Sequence, residues 1–276
     1  NHCYVTNSIC TPSRAAILTG TYNHVNCVTT LSTPMNNRLP NLAKHLQTGG
    51  YQTAIIGKWH LGEGKDHEPT GFDYWSVLPG QGDYFDPSFI EMGKKVEILG
   101  YVTDIITEKS LTWLEKRDQH RPFFLMCHHK APHREWEPHS KYKELYKDDI
   151  NIPETFDDEY KNRAKAAAEA KMRIKDDMTY ADLGLVQPEG GHEIGERKTF
   201  NSNHRKIPNP VDVTHMRLID KDTGEVFKFS SREELNYFKY QRYLKRYLRT
   251  VESIDESVGK ILDFLDEENL TNDNLS

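Results

Sequence analysis

The feature that most constrains this chain is the alternation of helical segments with short apolar runs. Asn41 to Gln47 reads as a helix closed by Gly49-Gly50, and the run that follows, Tyr51 to Ile56, is rich in strand formers. Thr103 to Lys116 reads as another helix, and after Arg121-Pro122 comes the apolar run Phe123 to Cys127. Short strands that lack polar alternation need cover on both faces, which a parallel sheet between helices provides. The pattern therefore predicts an α/β sandwich: a largely parallel central sheet flanked by helices.

A length of 276 residues fits one large α/β domain, residues 1–276, with an inserted lobe. The lobe is expected at about 149–231. There an Ala/Lys/Glu-rich helical patch, Tyr160 to Met172, gives way to polar sequence around Gly190-Gly191. From Arg232 to Glu268 apolar residues such as Leu235, Leu244, Leu248, Val251, Ile254, Val258, Ile261 and Leu265 recur at helical spacing. The opening Asn-His-Cys-Tyr-Val-Thr reads as the end of a strand and the closing Asn-Leu-Thr-Asn-Asp-Asn-Leu-Ser as a turn before another. The sheet is thus expected to be incomplete at both ends.

A net charge of −6 argues against a nucleic-acid partner, which needs a basic face. No run approaches the ~18 apolar residues of a membrane span. Cys3, Cys10, Cys27 and Cys127 follow neither zinc-site spacing nor a disulfide scaffold, although Cys3 and Cys27 could pair in an exported protein. His192, beside Gly190-Gly191, reads as a loop residue, and the basic, tyrosine-bearing stretch Lys239 to Arg249 as a helix face.

Three constellations carry chemistry. Thr11 to Thr19 reads as a short helix with Thr11 as N-cap, Pro12 at the first helical position and Gly20 just past the end. Cys10 then sits at a helix N-terminus, where free N–H groups favour an anion. A lone cysteine there would equally suit a low-pKa thiol or a buried structural residue. Next, Gly57-Lys58-Trp59-His60-Leu61-Gly62 places a cation and an imidazole in a glycine-flanked loop at a strand end, where open α/β sheets build their sites. Last, His128-His129-Lys130-Ala131-Pro132-His133 follows the Phe123 strand, and its histidines lack an acidic or thiolate partner at zinc-ligand spacing.

The run Cys10-Thr11-Pro12-Ser13-Arg14-Ala15-Ala16-Ile17-Leu18-Thr19-Gly20 resembles the C-x-P-S-R-x-x-x-L-T-G signature of type I sulfatases. The run Gly50-Tyr51-Gln52-Thr53-Ala54-Ile55-Ile56-Gly57-Lys58-Trp59-His60-Leu61-Gly62 resembles their second signature at every written position. The resemblance implies an alkaline-phosphatase-like sandwich, and it implies that a formylglycine-generating maturation enzyme converts Cys10 to formylglycine, whose hydrate is the nucleophile. It further implies that Arg14 stabilises the hydrate, that Lys58 binds sulfate oxygens, and that His60 contacts the hydrate and acts as base. A histidine after the third strand, His129 or His133, would contact the sulfate and protonate the leaving alcohol, while His128 reads as structural.

The family also binds one divalent cation, usually calcium. The resemblance puts its Asp ligands outside residues 1–276, so that this stretch alone would be inactive. The implied substrate is a sulfated small molecule or sulfated glycan, and the implied location is the periplasm, the lysosome or outside the cell. A phosphonate or phosphodiester hydrolase of the same superfamily, and an inactive module that binds sulfated glycans, are the alternative readings.

Overall fold

The computed structural model describes residues 4–186 and 205–270. The chain divides into two compact units, residues 1–130 with 254–276, and residues 131–253.

The first unit is built on a five-stranded sheet. Its strands are β1 (Gln52–Lys58), β2 (Tyr74–Leu78), β3 (Ser88–Glu91), β4 (Lys94–Glu97) and β5 (Phe123–His128), in the order β4-β3-β2-β1-β5. β1 lies parallel to both β2 and β5, and β3 and β4 extend the sheet antiparallel. The expected parallel core is present, and the hairpin at the edge is an addition. Its cause is local: Met92 and Gly93 both take positive φ, 45° and 83°, between Glu91 and Lys94, which pair with each other.

Helices α1 (Cys10–Thr19), α2 (Asn23–Asn26), α3 (Leu42–Thr48) and α4 (Val102–Lys116) complete the unit, with the C-terminal part of a long last helix, α7 (Arg232–Glu267). Asn41 caps α3 by accepting from the Lys44 N–H at 2.9 Å. One core joins Ala15 and Leu18 of α1 and Ala43 of α3 to Ile55, Trp75 and Val77 of the sheet and to Trp59 just past β1. Each large side chain there contributes roughly 1.5–3 kcal/mol by leaving water. That core holds α1 against the sheet.

Gly57 decides how closely β1 and β5 approach. It pairs with His128 at φ 105°, and a Cβ there would lie 1.9 Å from the His128 carbonyl oxygen. Only glycine fits both demands.

The second unit surrounds a separate apolar cluster that includes Trp136, Leu183, Leu185, Ile207, Leu218, Phe229 and Leu235. It contains the short helices α5 (Lys165–Glu169) and α6 (Ile174–Asp177), and a small antiparallel sheet of β6 (Leu185–Val186), β7 (Leu218–Asp220) and β8 (Val226–Phe227). The lobe expected at 149–231 falls inside this unit, which starts earlier, at Ala131. The helical patch expected over Tyr160 to Met172 shrinks to α5, of five residues and none buried. Alanine-rich sequence that packs no face on a core cannot hold so short a helix open to water for longer. Cys3 and His192 lie outside the described residues. Among those described, no helix is long and apolar enough to cross a membrane.

Candidate active site

The N-terminus of α1 lies two residues earlier than its sequence suggests. Ile9 is the N-cap, Cys10 is the first helical residue, and Pro12 stands third, still within the turn that needs no N–H acceptor. Thr11 is therefore not the cap. Its buried hydroxyl lies 3.2 Å from Nδ1 of His60, and no side chain caps the helix. The first-turn N–H groups next to Cys10 keep their capacity to bind an anion.

Arg14, one turn further along α1, joins the three constellations. Its Nη1 donates to the Lys58 carbonyl at 2.7 Å, at the end of β1, and lies 3.1 Å from Nδ1 of His128, at the end of β5. The same ring nitrogen is 3.2 Å from the Lys58 carbonyl. Nδ1 of His128 thus stands between a guanidinium that can only donate and a carbonyl that can only accept, and the ring tautomer decides which of the two it serves. Burial lowers the Arg14 pKa, against the opposing pull of Cys10.

Lys58 is 3% exposed, and its ammonium donates to Oε1 of Gln81. Among the described residues no carboxylate pairs with it. Burial, then repulsion from Arg14, lowers its pKa to about 8; Cys10 raises it and Lys130 lowers it further. Lys130 is itself buried, its Nζ 4.7 Å from the centre of the Tyr84 ring. Arg14 and Lys58 thus place positive charge beside Cys10, and Lys130 adds its own beside Lys58. Two further features frame His60. It adopts φ 54°, and a cavity of about 450 Å³ opens beside it and Thr11, walled by Trp59, Trp75, Pro34 and Pro79.

Of the third constellation, His128 reaches these cations. Burial and the charge of Arg14 lower its pKa to about 4, so it is neutral at pH 7. His129 turns elsewhere. Its Nε2 meets the Ser257 hydroxyl at 3.1 Å, and that hydroxyl meets Thr107 Oγ1 at 2.5 Å, which donates to the Thr103 carbonyl. Counting protons along this line fixes the ring: Thr107 spends its hydrogen on Thr103, Ser257 spends its own on Thr107, and Ser257 therefore accepts from His129 Nε2–H. Nδ1 of His129 is a bare, buried lone pair without a hydrogen-bond partner, and burial lowers the ring's pKa to about 4. A neutral ring whose one proton points to Ser257 has none ready for a leaving group. His133 belongs to the second unit, where its Nδ1 meets the Arg134 carbonyl.

The first unit thus brings together Cys10, Arg14, Lys58, His60 and His128, and sequence reasoning missed Gln81 and Lys130. Lys130 stood unassigned inside the third run. Gln81 follows an apolar strand and lies between two glycines, a turn signal that could have marked it. Among the described residues no group of three or more His, Cys, Asp or Glu side chains is placed to hold a metal. The cations and imidazoles around Cys10 do not suit a hard cation such as calcium.

The chain is similar to several known proteins. An N-acetylglucosamine-6-O-sulfatase of Bacteroides thetaiotaomicron is 39% identical over 272 residues, covering 96% of this chain and 48% of the relative. The human N-acetylglucosamine-6-sulfatase is 30% identical over 167 residues, 52% of this chain and 30% of its own. A solved structure of a protein in complex with its substrate D-glucosamine-2-N,6-O-disulfate superposes with a TM-score of 0.78 at 36% identity, covering 98% of this chain and 55% of that one. A sulfatase structure from Bacteroides fragilis, at 18% identity and a TM-score of 0.55 over 95% of this chain and 49% of its own, shares the fold. The chain spans about half the length of the curated relative that it matches along 96% of its own length. The sulfatase family profile runs from residue 1 to residue 275, and with it the chain belongs to the sulfatase family.

Proposed function

We propose that the protein hydrolyses a sulfate ester on a glucosamine-type sugar, with formylglycine derived from Cys10 as its nucleophile. The observation that carries this reading is the placing of two cations, half-buried Arg14 and buried Lys58, beside Cys10 at an uncapped helix N-terminus. Such a site attracts a tetrahedral oxyanion and, being dry, holds it more strongly than water would. The relatives acting on 6-sulfated N-acetylglucosamine, and the similar structure bound to a disulfated glucosamine, support the sugar class.

A maturation enzyme uses molecular oxygen to oxidise the thiol-bearing carbon of Cys10 to an aldehyde, the sulfur leaving as hydrogen sulfide, and water adds to give the hydrate. One hydrate oxygen attacks sulfur, the bond from sulfur to the sugar oxygen breaks, and the sugar leaves as an alcohol. The second hydrate hydroxyl then loses its proton, the aldehyde re-forms, and inorganic sulfate departs. Arg14 and Lys58 hold charge on the hydrate and sulfate, and His60, steadied by Thr11, takes the proton of the collapse. The proton that the attacking hydrate hydroxyl gives up goes to the sugar oxygen, which leaves as the alcohol.

The test is made on full-length protein co-produced with a maturation enzyme. Mass spectrometry of the Cys10 peptide should show the thiol-to-aldehyde change, and glucosamine 6-sulfate should be desulfated. Cys10→Ala should lower turnover by about 1,000-fold or more. Undiminished turnover by Cys10→Ala would sink the mechanism.

A further inference from the structure

Lys58 presents a problem that its neighbours do not solve on their own. An ammonium has three donors, and a buried one must be both oriented and kept charged if it is to bind an anion. A carboxylate partner would orient it but cancel its field. The structure supplies a neutral acceptor instead. Lys58 is the last residue of β1 and stands opposite Leu78, the last of β2. The chain leaving β2 turns at once, with the Gly82 N–H donating to the Pro79 carbonyl at 3.0 Å and Gly80 and Gly82 at φ 51° and 71°.

This turn is fixed from two sides. Gly80 N–H donates to Oε1 of Glu63 at 3.1 Å, and a Cβ on Gly82 would lie 2.8 Å from the Leu78 side chain. Its central residue, Gln81, delivers Oε1 to the Lys58 ammonium. Two residues beyond the turn's last glycine, Tyr84 is buried against Lys130. The segment that follows β2 thus handles both lysines of the site.

We propose that Gln81 is a positioning residue for sulfate binding: its amide oxygen takes one ammonium donor of Lys58 and leaves two, uncancelled, for the oxyanion. The proposal rests on the reading of Lys58 as a sulfate ligand. Glutamine suits the task because it accepts without charge, where glutamate at this place would form an ion pair and spend the cation. The charged groups that bear on Lys58 are Arg14 and Cys10 from α1 and Lys130 after β5, and none of them offers a neutral acceptor to its ammonium.

The experiment is calorimetric titration of inorganic sulfate into the full-length protein between pH 6 and 10, for the native sequence and for Gln81→Glu, Gln81→Leu and Lys58→Met. Gln81→Glu should weaken sulfate binding by roughly 10- to 100-fold at pH 7 while moving the pH at which binding fades upward, because the carboxylate holds the proton on Lys58. Gln81→Leu should move that pH downward by about one unit, because the ammonium loses its acceptor. A change that merely disturbed the turn would shift both the same way. Unchanged pH dependence in both variants overturns the proposal. Gln81→Asn, with the same chemistry on a shorter arm, covers the case in which the leucine variant does not fold, and it should weaken binding without moving the pH. If Lys58→Met binds sulfate as tightly as the native protein, the reading of Lys58 fails first, and the two failures stay distinct.

Discussion

Lys58 in the first unit and Lys239 in the second are both buried, and burial lowers both to a pKa of about 8. Their donors tell them apart. The ammonium of Lys239 is saturated by three backbone carbonyls, those of Lys175 at 2.8 Å, Ile207 at 3.3 Å and Pro208 at 3.2 Å. Lys58 has, among the described residues, Gln81 alone. A buried, easily deprotonated lysine is thus not a site by virtue of its pKa: Lys239 pins chain segments together, while Lys58 holds two donors in reserve. The arginines repeat the contrast. Arg134 and Arg242 of the second unit face the carboxylates of Asp182 and Asp220, and Arg14 has backbone and imidazole instead. Unspent donors, rather than perturbed titration, mark the candidate site.

The sharpest way to break this contrast is to remove each ammonium in turn. Lys58→Met should lower kcat/KM for a sulfate ester by roughly 100- to 1,000-fold while leaving stability to denaturant within about 1 kcal/mol, because a methionine packs where an unpaired charge was buried. Lys239→Met should do the reverse. It strands three backbone carbonyls, that of buried Ile207 among them, and should cost about 2–4 kcal/mol of stability, with the activity of the folded fraction kept. Denaturant curves and initial rates on the same samples measure both. If the two variants lost activity and stability in parallel, the distinction would collapse.

Gly57→Ala attacks the frame rather than the chemistry. A methyl 1.9 Å from the His128 carbonyl at φ 105° must push β1 and β5 apart, at about 2–4 kcal/mol, and should separate Lys58 from His128. Thermal denaturation reads the first effect and sulfate affinity the second. Sulfate affinity against pH reads Lys58 directly. Lys58 is charged below about 8, so sulfate affinity should hold up to that pH and fall above it by up to roughly tenfold per pH unit. In acid the histidines act instead. With His128 and His129 lowered to about 4, the unfolded chain takes up protons first, and stability should fall as the pH drops from about 6.5 to 4.

Much of this was readable from the sequence because it is local. Cys10 and Arg14 share one helix, Lys58 and His60 share one strand end, and both runs keep their spacing whatever surrounds them. The parallel core was readable too, from apolar strands set between helices. Contacts that depend on register were not. Gln81 meets Lys58 only because Lys58 stands opposite Leu78, and His128 meets Arg14 only because Gly57 lets β5 close on β1. The hairpin of β3 and β4 was missed because β4 is exposed throughout and carries no apolar run. The Thr11 cap failed for a tertiary reason: its hydroxyl serves His60. Three histidines in six residues looked interchangeable, and strand geometry sends His128 to the cations and His129 to Ser257.

That last division gives the smallest and most specific prediction. Ser257 comes from α7, 128 positions from His129 along the chain, and serves it as an acceptor that holds the ring proton on Nε2. Ser257→Ala removes that acceptor and leaves Thr107 with its own bond to Thr103. Stability should fall by about 1 kcal/mol, the ordinary net worth of one hydrogen bond. The ring should then distribute its proton between both nitrogens, which nitrogen NMR of labelled histidine resolves, while turnover should stay within a few-fold. A loss of tenfold or more on Ser257→Ala would mean that the bare Nδ1 of His129 takes part in the chemistry. In that case the site would hold a spare acceptor beside the spare donors of Lys58, and His129 would move from the frame to the machinery.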